Sequence, residues 1–399
     1  MVALRKTRIV ARVTRGLHET VVALRDPTLL VWALYLALVP IYLWASGLPQ
    51  IGDILALILV PLGLTRWNGR LGPMAASSVR LLIVFTSYVV LVNLVWSFVL
   101  NSWTIEVRTG FLLTPFFYVY NALVFVVTIV LYRTYQARML RLTSRFVLVT
   151  LISQVALSLA MSGGNRATVL FNNPNQLGYY ALLSASVMMV LQRRGHVSTF
   201  EVTIGTVAAT YLGLASASKA ALAGIGLLVI AGMISRLRTM LLVAATCGLL
   251  LLLATPMQRA LGGAVVRIAN DESLGFVEER GYDRILHYPE YWVLGAGEGA
   301  YKRFEATTKI RSHEIHSSIG SLFFCYGFVG TLMFGAFLWS ALRRSGLRMW
   351  FLIIPTLSYG MTHQGLRFTL FWVLLAIVVA LREESVVQQG DARASLSAG

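Results

Sequence analysis

The chain has 399 residues, 57% of them hydrophobic and 13% charged, with a net charge of +17 and a mean hydropathy of +0.71. Soluble domains are about 45–50% apolar, so composition excludes a soluble protein and indicates a polytopic membrane protein with short loops. The positive charge does not indicate nucleic acid, because the Arg residues sit in short clusters between apolar segments, as membrane topology requires.

Residues 1–27 carry Arg5, Lys6, Arg8, Arg12, Arg15 and Arg25 beside a helical stripe of Ile9, Val10, Val13 and Leu17. This pattern predicts a basic surface helix on anionic lipid and makes a poor signal peptide. Twelve apolar segments follow, near 28–46, 49–65, 80–101, 110–132, 146–161, 174–192, 199–217, 219–235, 238–256, 316–342, 347–363 and 366–381. They divide into a membrane block 28–256, a long loop 257–315 and a second block 316–382, ahead of a Ser/Gly/Gln/Ala-rich tail 383–399 expected to be disordered. The second segment is short and contains Pro61, with Asp53 near its start. The seventh and eighth have almost no loop between them and predict a tight helical hairpin. Cys247 and Cys325 lie in apolar segments and read as buried free thiols.

With the N-terminus inside, the inner segments hold 22 of the 34 Lys and Arg. Eight of the other 12 fall in 257–315, and long loops weigh little in the positive-inside rule. Both termini are therefore expected in the cytoplasm and the long loop outside. That loop holds Phe276, Tyr282, Tyr288, Tyr291, Trp292, Tyr301 and Phe304 with nine carboxylates. So many aromatics predict a folded cap of short helices.

Candidate site residues lie on this outer face. Arg280 and Arg284 are four apart and would share a face if the segment is helical. Two guanidiniums side by side suit a diphosphate; the alternative is pairing with Glu278, Glu279 or Asp283. His313 and His316 flank the start of the tenth span, and either could take a proton from a hydroxyl or simply cap the helix. Their spacing is not that of a zinc site. LGAGEGAY, with Gly295, Gly297 and Gly299, is either a turn needing backbone freedom or backbone set against a substrate with Glu298 beside it. Lys219 sits among Ser216, Ala217, Ser218, Ala220 and Ala221, which leave room for a ligand or for close helix packing. FNNPNQLG puts Asn172 and Asn175 at a helix start, where capping is the plain reading. Arg166, His363 and Arg367 also face out. No D-x-D motif supports a metal-held nucleotide sugar.

The ordered set of FNNPNQLG, SK before small residues, the loop with its Arg pair and GAGEG turn, and HSSIGSLFFCYGFVG resembles the O-antigen ligase and O-antigen polymerase superfamily of bacterial envelope glycosyltransferases. The resemblance is best over 165–345. It implies an all-α, GT-C-like bundle of about 12 spans in the bacterial inner membrane, capped by a large periplasmic loop. The implied activity is transfer of glycan from an undecaprenyl-diphosphate carrier to an acceptor hydroxyl, with inversion and without metal or other cofactor. It implies His316 as catalytic base. Arg280, with Arg284 close behind, and Lys219, where the family usually has Arg, would hold the diphosphate. Arg166, Asn172, Asn175, Glu298, His313 and Arg367 are the further substrate-binding candidates. Expected partners are the lipid-linked donor, the glycan acceptor, membrane lipid, and a chain-length regulator or flippase.

Three functions are compatible with these motifs. A polymerase would join repeat units both carried on undecaprenyl diphosphate. A ligase would pass finished polymer to lipid A core. A carrier-lipid flippase would share the span count, but transporters tend to show internal repeats and midplane charges, and here the ionisable groups concentrate at one face.

Overall fold

The computed structural model describes residues 16, 18–100, 105–161, 166–269, 275–304 and 314–397. Most of the expected basic surface helix lies outside the described residues, as do Lys309, Arg311 and His313. Every α-helix or 3-10 helix named here belongs to the described part, and no strand occurs there.

The α-helices are α1 (Pro27–Leu38), α2 (Ile51–Arg66), α3 (Pro73–Val99), α4 (Ile105–Tyr135), α5 (Ala137–Ala160), α6 (Pro174–Arg193) and α7 (Thr199–Ser216). They continue as α8 (Lys219–Leu253), α9 (Thr255–Ala269), α10 (Phe276–Arg280), α11 (Asp283–His287), α12 (Ser318–Leu342), α13 (Leu347–Tyr359) and α14 (Thr369–Ser397). Among the described residues, five stretches are long and apolar enough to cross a membrane: Pro73–Val99, Gly110–Tyr135, Ala137–Ala160, Arg236–Leu253 and Ser318–Leu342. The protein is a helical, multi-pass membrane protein.

Some expected segments end early. The first stops at Leu38, because Pro40, Gly47 and Pro49 turn residues 39–50 into a loop. The eleventh covers 347–359 and contains Pro355. The tail differs in the other direction. Expected to be disordered from Glu383, it continues α14 to Ser397, since Glu, Gln, Ala and Arg there favour helix and no Pro interrupts them.

Helix α6 is enclosed on all sides: every side chain from Leu177 to Gln192 is buried. Its small residues Ala181, Ser184, Ala185 and Ser186 let neighbours pack close. α14 is buried likewise from Thr369 to Arg382. On α3, by contrast, Ile83, Val84, Leu91, Leu94 and Val95 stay exposed, the apolar face that hydrocarbon would cover.

α7 and α8 are joined by Ala217, in the left-handed region (φ 47°), and Ser218. α8 is not straight. Arg236 leaves helical geometry (φ −147°, ψ 57°), Gly232 packs on Met240, and Thr239 accepts a hydrogen bond from Gln192 at the C-terminal end of α6 (3.0 Å). The chain reverses there, and the limb after Arg236 returns alongside α7.

The N-termini of α6, α8 and α12 and the loop 360–368 therefore share one end of the bundle. The other end gathers basic residues. Arg382, buried, donates to the carbonyls of Ser340 (2.5 Å), Ala341 (2.9 Å) and Arg343 (3.0 Å) at the last turn of α12. Those carbonyls have no partner within the helix.

α12 is broken at Gly327 (φ 63°, ψ −168°), and the 292–297 loop enters the break. Ala296 N–H donates to Phe324 O (2.9 Å), Gly297 N–H to Cys325 O (2.8 Å), and Phe328 N–H to Trp292 O (2.7 Å). A Cβ on Gly295 would lie 2.2 Å from Cys325 O. The glycines of LGAGEGAY thus let two backbones meet, satisfying groups that a broken helix exposes.

Candidate active site

Ser317 caps α12 and ties it to the loop after α13. Its hydroxyl receives Gly320 N–H (2.9 Å) and donates to Gly360 O (2.9 Å), while Tyr282 OH lies 2.7 Å away. Ser318 N–H donates to His363 O (3.0 Å), and Ser318 Oγ receives Leu366 N–H (3.0 Å). The two serines after His316 therefore fix that residue against loop 360–366.

His316 is exposed, and its backbone N–H donates to Arg280 O (3.1 Å). It lines a cavity of about 340 Å³ shared with Asn175, Tyr359, His363, Gln364 and Arg367. His363 packs on Tyr359, ring centroids 5.0 Å apart. Burial drives its pKa down to about 3, with Arg280, His316 and Arg166 adding positive charge nearby. His363 is thus neutral at physiological pH.

This depression has a measurable sign. The folded state binds the His363 proton less readily than the unfolded chain, so its contribution to stability is complete above the unfolded value of 6.5 and is lost as pH falls toward 3. Between pH 7 and pH 5 the loss is about 2 kcal/mol. Thermal unfolding of the purified protein across that range should show it, and His363→Gln should flatten the profile.

Arg280 and Arg284 do not share a helical face. Gly281, left-handed at φ 76°, ends α10 directly after Arg280, and α11 starts afresh at Asp283. Arg280 pairs with Glu279 (3.2 Å) and keeps 21% of its side chain exposed. Arg284 instead lies over Phe304 at 5.5 Å, and burial lowers its pKa. Arg303, over Phe304 at 4.5 Å and Trp96 at 5.3 Å, shares this aromatic packing. The pair thus splits into one cation beside His316 and one inside the cap.

Arg166 joins the site from the segment before α6. Its Nε donates to Ser216 O (2.8 Å) and its Nη2 to Asn175 Oδ1 (2.9 Å). Asn175 O in turn accepts from Tyr359 OH (2.8 Å). Asn173 is the N-cap, receiving Asn175 N–H (2.8 Å). Asn172 faces the α1–α2 loop and donates to Trp44 O (2.6 Å). Lys219 opens α8, half-buried, at the same end of the bundle. Gly178 presses on Ser216, Ser218 and Ala221 around it, which supports the close-packing reading of those small residues.

Glu298 and Arg367 engage each other. Arg367 Nη2 lies 2.8 Å from Glu298 Oε1, and its Nη1 and Nη2 hold Glu314 at 3.0 and 2.6 Å. Tyr326 OH donates to Glu298 Oε2 (2.9 Å), and Asn93 holds the Glu298 backbone on both sides. Burial pushes the Glu298 carboxyl up, with Arg367 pulling it down; burial lowers the Arg367 guanidinium, but Glu314 and Glu298 together outweigh it and push it up. This network joins the cap, the start of α12 and loop 360–368. By sequence Glu314 is only an available third ligand for a zinc site that the spacing of His313 and His316 does not support; its place two residues before His316 is the available clue to its role.

A groove runs down the side of the bundle between α5, α7 and the return limb of α8. It encloses about 1070 Å³ and extends from Thr199, Phe200 and Arg238 to Tyr211, Pro256 and Met257. From Arg238 to Ala254 it follows 17 residues, about 24 Å of helix. At Leu159, Tyr211 and Pro256 it meets a second pocket of about 410 Å³ lined by Arg166 and Arg259. Arg166 thus lines this pocket and bonds to Asn175, which lines the His316 cavity.

Among the described residues no group of three or more His, Cys, Asp or Glu is arranged to hold a metal ion. The sequence matches no protein-family profile and no characterised protein.

Proposed function

We propose that the chain is an inner-membrane glycosyltransferase, both termini cytoplasmic, that polymerises undecaprenyl-diphosphate-linked oligosaccharide repeats of an O-antigen, capsule or exopolysaccharide at the periplasmic face. The observation that carries the reading is that the apolar groove meets the Arg166–Arg259 pocket, and that Arg166 bonds to Asn175 of the His316 cavity. A groove about 24 Å long exceeds one bilayer leaflet, roughly 15 Å of hydrocarbon. It suits a single long isoprenoid chain, with diphosphate at the arginines and sugar in the cavity.

In this reading His316 takes the proton from an acceptor hydroxyl. The hydroxyl oxygen attacks the anomeric carbon as the carbon–oxygen bond to diphosphate breaks, inverting that centre. Arg280, Arg166 and Lys219 meet the charge that develops on the departing undecaprenyl diphosphate. Transfer to lipid A core by a ligase would use the same residues; only the acceptor differs.

The two loop arginines test the assignment. Arg280→Gln should cut product formation about 10²-fold, as loss of one preorganised donor does, while the protein stays in the membrane. Arg284→Gln should retain turnover and lower thermal stability instead. Equal activity losses in both variants would contradict the separation of roles.

A further inference from the structure

A second concentration of charge lies at the end of the bundle opposite His316, where α5 begins. Arg138, Arg141 and Arg145 follow one another there at spacings of three and four residues, which sets them on one face of the helix. The helical segment 18–23 packs against that face: Arg145 Nη1 donates to Gly16 O (2.7 Å) and to Thr20 Oγ1. Between segment and helix is a pocket of about 310 Å³, lined by the three arginines with His18, Glu19 and Val22.

The charges of this pocket do not balance. Among the described residues lining it, three guanidiniums meet one carboxylate, a net charge of +2. Glu19 lies 3.5 Å from Arg141 and 3.9 Å from Arg145, beyond the roughly 2.7–2.9 Å of a charge-assisted hydrogen bond. Arg138 is exposed and makes no hydrogen bond or ion pair among the described residues. Guanidiniums gathered in a pocket with donors to spare suit a phosphate group.

The same face of α5 changes character beyond Arg145. Val149 and Ile152, four and then three residues on, are 57% and 45% exposed. Val21 and Val22 are exposed on the facing segment. α5 is apolar and long enough to cross a membrane, so its exposed aliphatic side chains meet hydrocarbon. Cations that lead into an apolar stripe fit an amphiphile with an anionic head and an aliphatic tail.

We infer that this pocket binds one anionic glycerophospholipid, its phosphate held by Arg138 and Arg141 and an acyl chain lying along Val149 and Ile152. The site differs from the general attraction of a basic N-terminal helix for anionic lipid: its cations belong to α5, and it holds a single molecule. It does not depend on the transferase reading.

Native mass spectrometry of the full chain released from detergent micelles tests it. The probes, each titrated, are phosphatidylglycerol, zwitterionic phosphatidylcholine and free glycerol 3-phosphate. One phosphatidylglycerol should bind more than about tenfold more tightly than phosphatidylcholine, whose choline the arginines repel. Arg138→Gln should weaken that binding about tenfold, the loss of one hydrogen bond to a charged group, and adding Arg141→Gln should weaken it further. Arg138 is exposed, so its replacement leaves the core intact and decides the matter if the double variant does not fold. A charge-matched control, Arg343→Gln with Arg344→Gln, removes two exposed cations from the same end of the bundle and should leave the tight site unchanged.

Equal affinity for phosphatidylcholine, unchanged binding in the Arg138 variants, or an equal loss in the control would overturn the site. Glycerol 3-phosphate should not displace the lipid at equal concentration, because it lacks the acyl chain. Displacement by it would overturn the lipid as occupant and leave a soluble phosphate in its place.

Discussion

Replacing His316 with alanine is expected to lower glycan transfer by about 10²–10⁴-fold, the usual contribution of a positioned general base. The side chain is exposed at the cavity, while its backbone is tied to Arg280 O. Removing the imidazole therefore takes away a proton acceptor without opening the core. Complementation in the native host, scored as a glycan ladder on a gel with protein level checked in the same cells, should show the ladder gone and the protein present. A single-repeat product would favour the polymerase over the ligase. A normal ladder would remove His316 from the mechanism and strengthen the transporter alternative.

Arg367→Met is expected to have the largest effect on stability. It leaves the Glu298 carboxylate, 1% exposed, without the cation that holds it at 2.8 Å. Breaking one side of a buried pair costs about 3–5 kcal/mol. Burial already raises the Glu298 pKa, so the folded variant should bind a proton more readily than the unfolded chain. Its deficit should then shrink as pH falls through that raised pKa. Glu298→Gln in the same background should recover part of the loss, because it removes the buried charge and retains a partner for Tyr326 OH. Thermal unfolding in detergent of the single and double variants checks both statements. An Arg367→Met protein as stable as wild type would refute the network's structural role.

The helical membrane class was legible in composition, and the shared face of FNNPNQLG, SASK and HSS in the alternation of apolar segments. Helix ends were less legible where proline acts locally, as with α1 stopping before Pro40. Side-chain allegiance was the hardest part. Arg280 and Arg284 have identical chemistry and helical spacing, and one left-handed glycine between them sends one toward His316 and the other into the aromatic cap. Glu298 has two readings by sequence, a plain turn or a place beside a substrate, and only the fold shows that its carboxylate is held by Arg367, 69 residues away. Such pairings depend on which loops meet at the end of a bundle, which local pattern does not encode.

The central claim is tested most directly with the purified full chain and a defined undecaprenyl-diphosphate-linked oligosaccharide in detergent containing EDTA. A longer glycan on the acceptor is expected, with release of undecaprenyl diphosphate in equal amount, inversion at the new linkage, and loss of all three in His316→Ala. Lipid-linked oligosaccharide that crosses a vesicle bilayer in the presence of this chain, with no new glycosidic bond formed, would contradict it.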